Sequence, residues 1–405
     1  MNLTAFNVRH LLLVMLIFSI PYPNVYLLGS SYFFLPMVLF ILYVVMSIKV
    51  LPILLNFNKL KIFSLSIVLL WLTFLISTYI NYNPNYFDIS RSVLQRILIY
   101  FVFFLVVYNE LEQNCQLQNI IQRTICFSII VMGFSYFTGI GAEYKLGRLW
   151  IFGTDANTIG VWSSIIIVMT FDLIVNEKTK VIKLVYYIAV IAISMLLIVF
   201  TGSRKAIILM AFGVLVYYIF LNRSFNYKLK LLIPFILFCF IAFGYVSTQG
   251  IIRERFMSEL ERQDLGGRMP IWEATIEIIQ KNPFFGVGIG EFANQIEFSL
   301  GRVRAVHNEF LTVLVYGGIV GLIWFLLFLY YIGRKAFLIL RIKNSSFTSL
   351  PIALFCMQIL FLFSAGGALT SFISWFIYAY ILVKTHEDKP KIYSNININI
   401  SGSNY

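Results

Sequence analysis

Residues 308–332, NEFLTVLVYGGIVGLIWFLLFLYYI, decide the fold, because they form one long and almost wholly apolar run. A helix needs about 20 mostly apolar residues to cross a bilayer, so this run predicts a transmembrane helix. Similar runs recur along nearly the whole 405-residue chain, which is 60% hydrophobic and only 12% charged. This composition excludes a soluble globular protein, and the continuous runs, in place of alternating short strands, exclude a transmembrane barrel.

The apolar runs together predict an all-α polytopic integral membrane protein with about twelve transmembrane helices. The predicted spans are 10–28, 32–50, 62–80, 92–108, 120–140, 158–175, 183–200, 205–221, 230–247, 308–332, 347–364 and 368–384. We expect residues 1–384 to be a single transmembrane domain, in which 248–307 is a large extracytoplasmic loop between helices 9 and 10. The polar tail, 385–405, is expected to be cytoplasmic and disordered.

Many of the basic residues behind the formal net charge of +13 collect in alternate loops, as an orientation signal requires. We therefore expect both termini in the cytoplasm and no nucleic-acid partner. The segments that then face the outside are 81–91, 141–157, 201–205 and 248–307. The four cysteines have neither CxxC nor metal-ligand spacing, so neither a disulfide framework nor a metal site is predicted.

His307 is the one histidine that this topology places outside, because His10 and His386 become cytoplasmic. Histidine is the side chain best suited to proton transfer near neutral pH. The alternative interpretation is a histidine at the membrane interface that performs no chemistry.

Arg204 and Lys205 stand in a short outer turn, where the positive-inside rule disfavours cations. An arginine there can clamp a phosphate group with its planar fork of donors, or it can anchor the helix in the lipid headgroups. Arg268 comes just before Pro270, which favours a helix start, and helix starts attract anions. The alternative for Arg268 is a solvated loop charge.

The outer loop that contains Arg148, Trp150, Asp155 and Asn157 combines aromatic and amide side chains, which suit sugar recognition. Turn formation explains its glycines and its asparagine equally well. The sequence has no metal-ligand cluster and no glycine loop for a nucleotide. We therefore expect no cofactor and a substrate that arrives already activated, such as a lipid diphosphate.

Several short motifs resemble those of the O-antigen polymerase and ligase superfamily. The clearest resembles its His-[Asn/Ser/Gln]-x9-Gly-x2-Gly signature. It begins with His307 and Asn308, continues after nine residues with Gly318, and ends after two more with Gly321. Thr201–Arg204 resembles a Ser-Arg pair at a helix end, and Gly267-Arg268, with Trp272 shortly after it, resembles the arginine of the family's large loop. Residues 281–288 resemble the family's glycine turn, and residues 152–160 resemble its earlier outer loop. Lys205 departs from the pattern, because members often carry a small residue there.

The resemblance implies a GT-C-like, metal-independent glycosyltransferase whose donor is an undecaprenyl-diphosphate-linked oligosaccharide. Arg204 and Arg268 would stabilise the departing diphosphate, and His307 would accept the proton of the acceptor hydroxyl. The expected substrate-binding residues are Arg148, Asn157, Asp155, Lys205, Trp272 and Asn308. Gly318 and Gly321 are expected to be structural.

The superfamily contains two activities that the shared motifs do not distinguish. A polymerase of the Wzy type extends an O-antigen or capsular polysaccharide on a second lipid-linked unit, and a ligase transfers the chain to a lipid A core. We interpret the chain as a polymerase, with a non-enzymatic flippase or exporter as a further alternative. The expected location is the bacterial inner membrane with a periplasmic active face, and the expected partners are the bilayer, a chain-length regulator and a flippase.

Overall fold

The computed structural model describes residues 8–22, 34–55, 58–145, 147–176, 180–221, 268–338 and 349–387, with single residues at 223, 236, 244 and 340. The predicted span 230–247, apart from two of those single residues, lies outside the described part. The first part of the predicted outer loop, 248–267, and most of the predicted tail also lie outside it.

The described chain is mainly helical, as its long apolar runs predict. The helices are α1 (Val8–Ser19), α2 (Leu35–Met46), α3 (Leu51–Leu54), α4 (Lys61–Ile80), α5 (Phe87–Gln113), α6 (Cys115–Thr138), α7 (Ala156–Asn176), α8 (Val181–Thr201), α9 (Arg204–Phe220), α10 (Met269–Lys281), α11 (Ile289–Leu300), α12 (Glu309–Leu338), α13 (Leu350–Ser364) and α14 (Phe372–Glu387). An antiparallel hairpin of β1 (Ala142–Lys145) and β2 (Arg148–Ile151) joins α6 to α7.

Among the described residues, six helices are long and apolar enough to cross a membrane: α4, α5 with the turn before it, α6, α7, α8 and α12. Helices α1, α2, α13 and α14 are shorter apolar helices. Helix α7 lies at the centre, because 83% of its apolar window is buried, compared with 39% to 56% in the other five. The all-α membrane class is confirmed, while the count of twelve spans stays a prediction.

Helix ends meet at one end of the bundle, where the loops between them are tied to one another. Arg148, the first residue of β2, donates from Nε to the carbonyl of Thr201 at the end of α8 (2.8 Å). The N–H of Ile289 at the start of α11 donates to the hydroxyl of Thr78 near the end of α4 (3.1 Å). The ammonium group of Lys205, at the start of α9, lies over the ring of Phe361 near the end of α13.

The described part of the predicted outer loop, 268–307, forms a small layer of two helices. Ile278 of α10 packs with Phe292 and Ile296 of α11 in an apolar cluster of its own. Helix α11 is also fastened to the connection between α4 and α5, where Asn83 donates to Glu291 (3.1 Å). The layer therefore covers the bundle end and supports the segment that enters α12.

Helix α12 is interrupted at Gly318, whose backbone is non-helical (φ 61°, ψ −161°). The turn between α10 and α11 lies in the break. A side chain at residue 318 would meet the carbonyl oxygen of Phe284 at 2.2 Å, and one at Gly286 would meet the carbonyl oxygen of Val315 at 2.5 Å. Both glycines have positive φ, so both the backbone conformation and the close approach require the missing side chain.

Backbone hydrogen bonds satisfy the polar groups that the interruption releases. The N–H of Ile319 donates to the carbonyl of Pro283 (2.8 Å), and the N–H of Val287 donates to the carbonyl of Val315 (2.8 Å). Non-helical backbone at membrane depth is tolerated only where protein or enclosed water supplies such partners. The turn between α10 and α11 therefore supplies the hydrogen-bond partners that α12 loses at Gly318.

The opposite end of the bundle holds a different polar cluster, built around the buried carboxylate of Glu110. Arg9 and His10 contact this carboxylate at 2.9 and 2.8 Å, and the hydroxyl of Tyr43 donates to it at 3.0 Å. The cluster joins α1, α2 and α5. His10 is thus separated from His307 by the length of the bundle.

Candidate active site

The turn between α8 and α9 determines which of two neighbouring cations, Arg204 or Lys205, is directed into the bundle end. Gly202 ends α8 in the left-handed conformation (φ 57°), and Ser203 stands as the residue before α9. Arg204 is then exposed at the first position of α9. Lys205 is half-buried, with its ammonium group 4.7 Å from the ring centre of Phe361.

Arg148 and Asn157 fasten the outer loop to this turn. The guanidinium of Arg148 donates to the carbonyl of Thr201 and to Oδ1 of Asn157 (2.7 Å). The hydroxyl of Ser203 donates to the same Asn157 oxygen (3.2 Å). Both predicted substrate-binding residues therefore lie at the site and hold the turn that presents Lys205.

Asp155 has a structural task in this arrangement. Its Oδ1 accepts from the N–H groups of Asn157 and Thr158, and its Oδ2 accepts from the Thr158 hydroxyl. These contacts cap the start of α7 in the manner expected of an aspartate at that position. Its negative charge also acts on Lys205, together with the positive charges of Arg268 and Arg148.

Arg268 immediately precedes α10, whose second residue is Pro270, as the sequence predicts. Its guanidinium group donates to the carbonyl of Ser364 at the end of α13 (3.4 Å). Arg268 thus brings a positive charge to a helix start, which itself carries partial positive charge. An anion at this point would be attracted by both.

His307 stands just before α12 and has a left-handed backbone (φ 55°). This conformation costs a non-glycine residue of order 1–3 kcal/mol, so the neighbouring contacts must maintain it. The indole N–H of Trp272 donates to the carbonyl of Val306 (2.8 Å), and Oδ1 of Asn308 accepts from the N–H of Leu311 (3.2 Å). The two predicted substrate-binding residues Trp272 and Asn308 therefore hold the backbone on either side of His307.

The charges around His307 favour its neutral form. Partial burial, followed by the positive charges of Arg268 and then Lys205, lowers the pKa of His307 below its ordinary value, although part of its surface stays exposed. A neutral imidazole can accept a proton, as a general base must. Three of the predicted site residues are thus close enough to influence one another electrostatically.

Glu309 is a residue of this region to which the sequence assigns no role. Its side chain is buried, with a relative exposure of 1%. It accepts backbone N–H groups from Gly367 (2.7 Å), Ala368 (3.0 Å) and Leu369 (3.1 Å). The available signal was a carboxylate at the entrance to an apolar span, since such residues are rare in membranes and usually functional.

The two glycines of the signature differ in their surroundings. Gly318 is required by its backbone and by its contact with Phe284. A side chain at Gly321 would make only ordinary van der Waals contacts, at 3.5 Å or more. A side chain at Gly317, which is not part of the signature, would approach the ring of Phe74 at 2.9 Å, so Gly317 is more tightly enclosed than Gly321.

Within the described ranges, no three His, Cys, Asp or Glu side chains lie together as a metal site would require. Metal independence remains a prediction.

Residues 188–326, about one third of the 405-residue chain, match the family model described as O-antigen ligase. The match supports the resemblance of this region to the O-antigen polymerase and ligase superfamily. The region contains Arg204, Lys205, Arg268 and His307. No curated protein matches the chain.

Proposed function

We propose that the protein is a polysaccharide polymerase that transfers a glycan from undecaprenyl diphosphate to a sugar hydroxyl of a second lipid-linked repeat unit. The observation that carries this proposal is the convergence of Lys205, Arg268 and His307 at one end of the bundle. It combines two cations with an imidazole whose pKa is lowered, which are the groups needed for an anionic leaving group and for a proton acceptor.

In this reaction the acceptor hydroxyl attacks the anomeric carbon of the donor glycan. The new carbon–oxygen bond forms while the bond to the diphosphate oxygen breaks, and its electron pair leaves with the diphosphate. His307 takes the proton of the attacking hydroxyl. Lys205, Arg268 and the exposed Arg204 are proposed to balance the charge that develops on the diphosphate, with Arg148 fixing the turn beside them.

A membrane-embedded donor suits this location. The starts of α9, α10 and α12 meet here, and helix starts attract phosphate groups through their N–H groups and partial positive charge. Placing cations at such starts is unfavourable unless an anion is bound between them. The arrangement therefore supports a diphosphate as ligand.

The second candidate is the ligase, which uses the same donor but transfers the glycan to a lipid A core. The description of the matching family, O-antigen ligase, favours it. The lipid-linked oligosaccharide exporter is the non-enzymatic alternative, and it would need polar side chains along a path through several helices.

The test is a reaction of the purified full-length protein with undecaprenyl-diphosphate repeat units in lipid nanodiscs, without lipid A core. Products of increasing repeat number would support the polymerase. Transfer that requires added lipid A core would overturn it in favour of the ligase, and no transfer in either case would support the exporter. A parallel reaction with a chelator tests metal independence, which loss of activity and its restoration by added metal would contradict.

A further inference from the structure

The last residue of α13 and the loop after it, residues 364–370, contact both Arg268 and His307, and we call this segment the Gly366 loop. The carbonyl of Ser364 accepts from the guanidinium of Arg268 (3.4 Å). Gly366 lies against the backbone of His307, where a side-chain carbon on residue 366 would be 3.0 Å from the nitrogen and 3.3 Å from the α-carbon. Movement of this loop would therefore disturb both residues.

Glu309 holds the Gly366 loop in place. Its two carboxylate oxygens accept the N–H groups of three consecutive residues, 367–369. Three hydrogen bonds to one side chain fix the backbone of the loop at successive residues. Glu309 also follows His307 by only two residues. One short segment therefore carries both the imidazole and the side chain that holds the Gly366 loop.

A direct chemical role does not fit Glu309. Its side chain is almost fully buried, and both of its oxygens already accept backbone N–H groups. A catalytic base must instead reach the proton it removes, directly or through one water molecule.

We propose that Glu309 is a positioning residue, which holds the Gly366 loop against His307 and Arg268 in the geometry that glycosyl transfer requires. This inference rests on the proposed function, because that function defines the reaction in which the two residues take part. Misplacement of reacting groups by about 1 Å can cost about 100-fold in rate. A variant that loosens the Gly366 loop is therefore expected to lower the turnover rate.

The first variant is Glu309→Gln, which keeps the shape of the side chain but turns one acceptor into an NH₂ donor facing N–H groups. The second is Gly366→Ala, which leaves Glu309 intact and presses a methyl group against the His307 backbone. The φ of Gly366 is not in the left-handed range, so alanine is compatible with its conformation.

The matched control is Asp172→Asn. Asp172 is also a buried carboxylate, with 5% exposure, and it accepts from Asn176 (2.8 Å) and Tyr217 (3.2 Å) in the membrane part of the bundle. We expect this control to lower stability while leaving turnover per folded molecule unchanged.

The measurements are kcat, KM for the lipid-linked donor, thermal unfolding, and the titration of His307 by NMR of histidine-labelled protein. The chain has three histidines, so a His307→Ala sample identifies the resonance. We expect Glu309→Gln and Gly366→Ala to lower kcat about 100-fold with little change in KM. We also expect the His307 titration midpoint to rise towards its ordinary value, because the imidazole becomes less buried and Arg268 less tightly held.

An unchanged His307 titration in both variants, or activity that falls only with the folded fraction as in Asp172→Asn, would overturn the inference and make Glu309 a purely structural residue. If wild-type protein transfers no glycan, the proposed function fails separately. The titration of His307 in the two variants then still decides whether Glu309 positions it.

Discussion

The α-carbon of Gly318 faces the carbonyl oxygen of Phe284 so closely that a methyl group on residue 318 would lie 2.2 Å from that oxygen. The oxygen belongs to backbone, which cannot swing aside as a flexible side chain can. The interruption of α12 and the turn that lies in it are therefore built as one unit.

Replacement Gly318→Ala is expected to destabilise the protein. The unfavourable backbone conformation alone costs about 1–3 kcal/mol, and the steric overlap adds to this cost. Thermal unfolding in detergent measures this loss. The matched control is Gly321→Ala, for which only ordinary contacts are expected. Equal stability of the two variants would contradict the account of the interruption.

The pH dependence of transfer is expected to reflect the neutral form of His307. Burial and the charges of Arg268 and Lys205 lower the pKa of His307, so the imidazole is neutral and able to accept a proton at pH 7. On the acid side, activity should fall as the pH drops through the lowered pKa, with a midpoint below the ordinary value of about 6.5. A kcat/KM profile checks this, and an acid limb at or above the ordinary value would argue against the assignment.

Replacement His307→Ala should abolish chain extension without loss of membrane insertion. Loss of a general base typically costs 10²–10⁴-fold in rate. Product ladders from nanodisc reactions measure the effect. His10→Ala is the control, since His10 binds Glu110 at the far end of the bundle. Wild-type ladders from His307→Ala would remove the catalytic role.

Replacement Lys205→Met should have two effects, because the ammonium group acts both on the substrate and on His307. Loss of its charge weakens donor binding and raises the pKa of His307, so KM should increase and the acid limb should move to higher pH. Lys145→Met, at an exposed position paired with Glu143, is the control. An unchanged pH profile in Lys205→Met would mean that the two residues are not coupled.

Replacement Arg204→Lys is expected to reduce transfer although the charge is kept. A lysine cannot reproduce the two parallel donors with which an arginine binds phosphate oxygens. Arg334→Lys, at an exposed position near the end of α12, serves as control. Full activity of Arg204→Lys would reduce Arg204 to an anchor or a point charge.

The sequence predicted the helical membrane class because apolar runs are local and long. Its prediction of the site rests on short motifs, which are local as well. It assigned Arg204 to the departing diphosphate and Lys205 to substrate binding, but it did not show which of the two side chains is buried. Neighbouring residues on a helix point about 100° apart, so the buried one depends on where α9 begins. That start follows from the left-handed Gly202, whose conformation is part of the folded turn.

Glu309 escaped prediction for a different reason. Its partners are backbone N–H groups of residues 367–369, which leave no side-chain signature in the sequence. Gly318 was expected to be structural, but the backbone that requires it, the carbonyl group of Phe284, likewise leaves no signature in the sequence. The sequence can indicate a glycine or a carboxylate, but the distant backbone that requires it becomes visible only in the fold.

The backbone hydrogen bonds between α12 and the turn before α11 also limit how such chains can be recombined. A chimaera that takes residues 282–288 from one relative and the 315–320 segment from another would join two halves of one hydrogen-bonded unit. Grafting experiments that seek to exchange acceptor preference should therefore move both segments together, and should choose their crossover points in the connections outside them.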